Sequence, residues 1–296
     1  MRAGSFVRSA VQAAGIAVLA IGGSAQAQTA GTWLVGITSS NQIARFDAMN
    51  PGAATSTAIT GLSAGDRFVG IDLRPSNNTI YGLTLSNRVY TINETTGVAS
   101  FVAALSTPVL GATQGWGLDF NPVADFSGAA SLRVVGANGG NYAVNANTGA
   151  VTTATSVATG YTGVSYTNSS PAGAPASTGL YYINSSTDTL AFAATGFNNP
   201  SITTVGALGL DVLSANGFEV LGNGMAYAAL NINGSSSLVT GLYSINLGTG
   251  AATLLGEFNG TLSGLTVSAV PEPGTYALML AGLGLLGFSA KRRLGR

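Results

Sequence analysis

The chain is 296 residues long, apolar at 46% of its positions and charged at only 7%, against roughly 25% charged in an average soluble domain. It contains no Cys and no His, which excludes a disulfide scaffold, a thiol nucleophile, a Cys/His zinc site and any Ser-His-Asp relay. Between Gln28 and Val270 five Arg stand against ten acidic residues, a net of −5, so no basic surface is offered to a phosphate backbone and nucleic acid is excluded as a partner.

Residues 1–27 read as a secretory signal. Arg2 and Arg8 supply its positive start, residues 13–23 are an apolar stretch of eleven, and Ala25-Gln26-Ala27 forms an A-x-A cleavage site that would leave Gln28 as the first mature residue. Eleven apolar residues are too few for a stable span of ~20, which ranks cleavage above an N-terminal anchor.

From 28 to 270 the pattern predicts strands and no amphipathic helix. A hairpin comes first: Gln42-Ile43-Ala44-Arg45-Phe46-Asp47 leads to the turn Pro51-Gly52. Next comes the phrase Gly-apolar-polar-apolar, at Gly70-Ile71-Asp72-Leu73. It returns at Gly117-Leu118-Asp119-Phe120, Gly163-Val164-Ser165-Tyr166, Gly217-Phe218-Glu219-Val220 and Gly264-Leu265-Thr266-Val267, with its glycines 47, 46, 54 and 47 residues apart. Between the copies lie further hairpins. Residues 89–93 lead to Thr96-Gly97, 142–145 to Thr148-Gly149 and 242–246 to Thr249-Gly250; a weaker copy, 182–184, leads to Asp188 without a glycine. Asn or Asp starts such a turn by bonding its own backbone, and Gly supplies the positive φ of the return. Residues 169–177 are the most linker-like stretch and are predicted to be an exposed loop within a blade.

A repeat of ~40–50 residues is the length of one four-stranded propeller blade. The hairpin at 42–60 lacks a phrase before it, and the phrase at Gly264 lacks a hairpin after it. Joining them closes a ring: residues 33–60 give the outer strands of a blade whose innermost strand is 262–267. The expected fold is therefore all-β, a five-bladed propeller closed by mixing N- and C-terminal strands. Gly209-Leu210-Asp211-Val212 is a rival copy of the phrase and keeps six blades as an alternative.

The tail, residues 271–296, has three parts in fixed order: Pro271-Glu272-Pro273, an uncharged run over 276–290 expected to be a hydrophobic helix, and Lys291-Arg292-Arg293. This resembles the PEP-CTERM sorting signal; the alternative is a plain C-terminal anchor. The resemblance implies a Gram-negative host making exopolysaccharide, transient membrane insertion, recognition by an exosortase, and cleavage near Pro271-Glu272-Pro273. Positive charge at the very end keeps the tail's tip inside and the domain outside.

Residues 117–125 followed by Leu132-Arg133-Val134-Val135, with 180–184, 187–190 and 204–212, resemble the signature of an uncharacterised bacterial family of secreted propeller-like domains. The likeness covers about 33–268, and Phe126 to Ser131 is an insertion relative to it. It implies the fold and leaves activity open.

The third positions of the phrase, Asp72, Asp119, Ser165, Glu219 and Thr266, are expected to gather around a central channel. Oxygen donors of this kind suit a hard cation such as Ca²⁺; the other reading has each side chain accepting backbone N–H groups and pinning blade to blade. Asp119 and Asp125 form a candidate carboxyl pair for glycoside hydrolysis, and Trp33 and Trp116 are candidate sugar-stacking or packing residues. No catalytic residues and no resident cofactor are assigned. The functional expectation is an exported, exosortase-sorted structural or interaction protein of the exopolysaccharide matrix, with a carbohydrate- or protein-binding module, or a calcium-dependent hydrolase at the channel, as alternatives.

Overall fold

The structure is a computed structural model that describes residues 31–111, 115–232 and 240–269, together with Leu283. The expected signal cleavage site at Ala25 and Ala27, the motif Pro271-Glu272-Pro273 and the apolar run (Leu283 apart) lie outside the described residues. No helix among the described residues is long and apolar enough to cross a membrane.

Twenty strands are described, in chain order. The first three are β1 (Trp33–Thr38), β2 (Gln42–Asp47) and β3 (Thr55–Ala58). Blade 1 is β4 (Phe68–Arg74), β5 (Thr79–Thr84), β6 (Arg88–Ile92) and β7 (Ala99–Ala104). Blade 2 is β8 (Trp116–Phe120), β9 (Ser131–Gly136), β10 (Asn141–Asn145) and β11 (Val151–Thr153). Blade 3 is β12 (Tyr161–Tyr166), β13 (Leu180–Asn184), β14 (Thr189–Ala193) and β15 (Thr203–Ala207); blade 4 is β16 (Val212–Val220), β17 (Ala226–Ile232), β18 (Gly241–Ile245) and β19 (Ala252–Glu257). The last strand, β20 (Leu262–Val267), pairs antiparallel with β1, Val35 opposite Thr266, so the fifth sheet runs β20-β1-β2-β3. The composite blade is the one the sequence predicts.

The inner strands β4, β8, β12, β16 and β20 each adjoin the next, and β20 adjoins β4. The circle is complete with five blades. The rival phrase at Gly209 does not start a sixth: Gly209 is a turn residue at φ 84°, and Val212 enters β16, which runs on to Val220 through two register shifts.

Burial follows from stacking. Every residue of β8 and β12 is buried, because these strands are covered on both faces, and strands covered on both faces read as continuous apolar runs. The core lies between blades: Tyr81, Leu83 and Val89 of blade 1 pack with Leu118, Phe120 and Val134 of blade 2. Each such side chain contributes about 1.5–3 kcal/mol on full burial.

The glycine of the phrase is explained by the inner ring's tightness. A Cβ on Gly117 would stand 2.6 Å from Val164 N and 2.9 Å from Gly163 C, on the neighbouring inner strand. At Gly70 it would meet Leu118 Cδ1 at 2.6 Å. At Gly117, and at Gly217, where the Cβ would stand 2.4 Å from Leu265 N, it is the neighbouring backbone that leaves no room for a side chain.

Two details differ from expectation. The turn after Asn184 joins β13 to β14, the second and third strands of blade 3, whereas the other hairpin copies join third to fourth. The Asn184 side chain accepts from Ser186 N (2.9 Å) and Thr187 N (3.2 Å), so the turn chemistry is right and its place in the blade is not. Second, residues 122–129 form a short helical turn, opened by Pro122 and capped by Asn121 Oδ1, which accepts from Ala124 N at 3.0 Å. Eight residues are too few to show a helical period. The 169–177 segment joins β12 to β13 within blade 3 and is mostly exposed.

Candidate functional site

Asp72, Asp119, Ser165, Glu219 and Thr266 come together at the hub, one from each inner strand. Their exposures are 4%, 2%, 0%, 4% and 0%. Each side chain accepts the backbone N–H that follows its counterpart on the next inner strand. Asp72 Oδ2 takes Phe120 N–H (2.7 Å), Asp119 Oδ1 takes Tyr166 N–H (3.0 Å) and Ser165 Oγ takes Val220 N–H (2.8 Å). Glu219 takes Val267 N–H, and Thr266 Oγ1 takes Leu73 N–H (2.9 Å), which returns to blade 1. Five side chains thus form a closed cycle of five interblade latches.

Side chains also bond one another. Ser165 Oγ donates to Asp119 Oδ2 at 2.9 Å. Thr266 Oγ1 lies 3.1 Å from Asp72 Oδ1 and 2.8 Å from Glu219 Oε2. A hydroxyl has one proton, so it can donate to only one of them; the other contact takes its proton from the carboxyl. Burial works in the same direction. It raises the pKa of Glu219 to about 7, and raises Asp72 and Asp119 well above the carboxylate range, with neighbouring carboxyls adding to the rise. Single oxygens of Asp72, Asp119 and Glu219 lie within 4.8 Å of one another. That spacing suits either shared protons or a cation.

The other candidate residues are dispersed. Asp119 belongs to the hub, while Asp125 pairs with Arg74 Nε at 2.7 Å and accepts Ser76 N–H at 3.0 Å. Trp116 is buried, and Trp33 is half-buried with the Arg45 guanidinium 5.3 Å from its ring centre.

Sequence reasoning missed a second set of blade-to-blade ties made by arginines. Arg45 of the composite blade pairs with Glu94 of blade 1 at 2.9 Å. Arg74 of blade 1 reaches Asp125 and, at 2.7 Å, Asn147 Oδ1 in blade 2. Arg133 of blade 2 reaches Tyr166 OH (3.3 Å) and Asn198 Oδ1 (2.9 Å) in blade 3. No local pattern announces contacts between residues so far apart in the chain; the scarcity of Arg in the domain was the one available signal.

The chain's exit toward the tail is also held. Ser268 N–H donates to Trp33 O at 3.0 Å. Its hydroxyl donates to Glu94 Oε2 (2.7 Å) and accepts from Arg45 (3.2 Å), and Asn78 Nδ2 donates to Ala269 O at 2.9 Å.

Comparison with known proteins agrees with this organisation. The PEP-CTERM protein-sorting motif matches residues 269–293. It marks an exported chain that is recognised by an exosortase, anchored in the membrane and then processed. No curated protein matches the sequence. Similar solved structures include a putative 6-phosphogluconolactonase from Bacteroides uniformis ATCC 8492, 9% identical, with 77% of this chain and 83% of that chain covered and a TM-score of 0.43. A protein of unknown function from Bacteroides thetaiotaomicron VPI-5482 is 13% identical over 77% and 58%, with a TM-score of 0.46. Regucalcin, a calcium-binding protein from Agrobacterium tumefaciens str. C58, is 13% identical over 78% and 74%, with a TM-score of 0.39. Likenesses this distant carry no argument about chemistry. A family model described as a domain of unknown function, DUF4394, matches residues 42–266, nearly the whole propeller, and the chain belongs to that family.

Proposed function

We propose that the protein is a non-catalytic propeller displayed at the cell surface or released into the exopolysaccharide matrix once its tail is cut. The observation that carries this reading is the hub. Every member of its polar ring is committed to a backbone N–H of the next blade. The side chains that line the hub take part in closing the ring. The exit clamp supports display. Ala269 is tied to blade 1, and six residues, seven Cα-to-Cα steps, separate it from the apolar run that begins at Tyr276. Fully extended, that leash reaches about 25 Å, which holds the domain close to the membrane until processing.

The test is fractionation with mass spectrometry of the C-terminus in strains with and without exosortase. The expected result is a chain ending near 271–273 in the extracellular pool of the parent strain, and an uncut, membrane-held chain in the mutant. Uncut protein in the membranes of both strains would refute the sorting step. A processed chain that never co-purifies with the host polysaccharide would refute the matrix role.

A further inference from the structure

Among the three interblade arginines, two meet a carboxylate: Arg45 with Glu94 and Arg74 with Asp125. Arg133 is 3% exposed and meets only neutral acceptors, Tyr166 OH, Asn141 Oδ1 and Asn198 Oδ1. No ion pair to it forms among the described residues. Its partner in register across β8 and β9 is Asp119, but that carboxyl is spent on Tyr166 N–H and Ser165 Oγ, and burial favours its neutral form. A buried charge without a counter-charge is costly. A guanidinium has five N–H groups, and three of these bonds leave two to give.

Arg133 lines a cavity of about 430 Å³ between blades 2 and 3. The cavity continues into a second lobe of about 290 Å³, with Asn121, Ala124, Gly196 and Phe197 common to both. Together they fall in the ~300–1,000 Å³ range of small-ligand sites. At its rim stands Phe197, half-buried, its ring fixed edge-on against Tyr166 at 4.9 Å. Beside it are Ser131 and the exposed Asn199, both lining the cavity. Asn198 is exposed, and its amide oxygen occupies one guanidinium N–H. A carboxylate in that place would make the stronger, charge-assisted bond. The Tyr182 hydroxyl, fully buried near Arg133, has no hydrogen-bond partner among the described residues.

We propose that this groove binds an acidic sugar, with the Arg133 guanidinium receiving the carboxylate, Phe197 facing the sugar ring, and Ser131 and Asn199 bonding its hydroxyls. The inference goes beyond the display role and fails separately from it: a chain exported and cut normally that binds no acidic sugar sinks this proposal alone.

The test is calorimetric titration of the purified full chain with trigalacturonate, its methyl ester and inorganic phosphate. The acid should bind with an affinity that falls as salt is raised, and the neutral ester should bind at least about tenfold more weakly, the effect of one lost charge-assisted bond. Arg133→Gln should remove binding. Because that residue is buried, Asn199→Ala serves as the rim variant and should weaken binding while the melting temperature stays put; Phe197→Ala should also weaken binding, with a lowered melting temperature from the lost packing on Tyr166. Equal binding of acid and ester would overturn the proposal. So would phosphate binding without trigalacturonate binding, or a rim variant that binds like the parent.

Discussion

The latch cycle at the hub can be tested through its neutral member. Ser165→Ala removes one hydroxyl and no charge. Two bonds go with it: Val220 N–H loses its acceptor, 2.8 Å away, and Asp119 Oδ2 loses its donor, 2.9 Å away. The position is 0% exposed, so water cannot substitute without rearrangement. A buried N–H left without a partner costs about 1–3 kcal/mol, and an ordinary hydrogen bond contributes roughly 0.5–1.5 kcal/mol. The expected loss is therefore about 2–4 kcal/mol. For a domain of this size each kcal/mol moves the melting temperature by roughly 2–4 °C, so unfolding followed by circular dichroism should drop by roughly 5–15 °C. Ser177→Ala, in the exposed loop of blade 3, is the control and should stay within about 0.5 kcal/mol. If Ser165→Ala melts with the control, the ring is not what holds the blades together.

Three further outcomes follow from the same geometry. Glu219 has its pKa raised from 4.5 to about 7. A carboxyl raised on folding stabilises in its protonated form, fully below about pH 4.5, and that stability is lost as the pH climbs through about 7; the shift corresponds to on the order of 3 kcal/mol. Asp72 and Asp119 shift in the same direction. Melting temperature against pH should thus decline between pH 5 and 8 and decline less in Glu219→Gln, and parallel curves for the two proteins would contradict the assignment. Chelation should leave the melting temperature where it was, since the hub oxygens already hold N–H groups and protons; a rise of several degrees on adding calcium would show instead that Asp72, Asp119 and Glu219 share a cation. Gly117→Ala should destabilise by at least about 1–3 kcal/mol, the range for overpacking, because its methyl would press on the Val164 backbone, which cannot yield as a side chain could. Normal stability in a denaturant melt would mean that the inner strands have slack.

Much of this architecture was legible because the repeat unit is also the packing unit. One phrase per blade marked each inner strand, and its polar third position marked the hub. The misplaced hairpin at 42–60 disclosed the composite blade, since an unmatched piece at each end has to find its complement. What was not legible lies in contacts between blades. Arg74 meets Asp125 only because consecutive blades stack, and neither residue belongs to a repeated phrase. The reason for the repeated glycine was hidden for the same cause: Gly117 needs to be small because of Val164, not because of its own neighbours. Asn184 misled because Asn-led turns occur at two different corners of a blade. The hub's two readings, latch or cation ring, use the same residue types and are separated only by the direction in which each oxygen points.

The pairing of β20 with β1 imposes an order of events. The strand that fastens the ring follows every other described strand in the chain, so a chain partway through export has its first strand waiting with one edge open. Such edges recruit foreign strands. The sorting motif begins at residue 269, two positions past the end of β20. The peptidase therefore meets its recognition sequence only on chains that have already delivered the closing strand, and a cut beyond Ala269 spares the joint. Placing the address label directly behind the clasp makes delivery of the closing strand a precondition for processing.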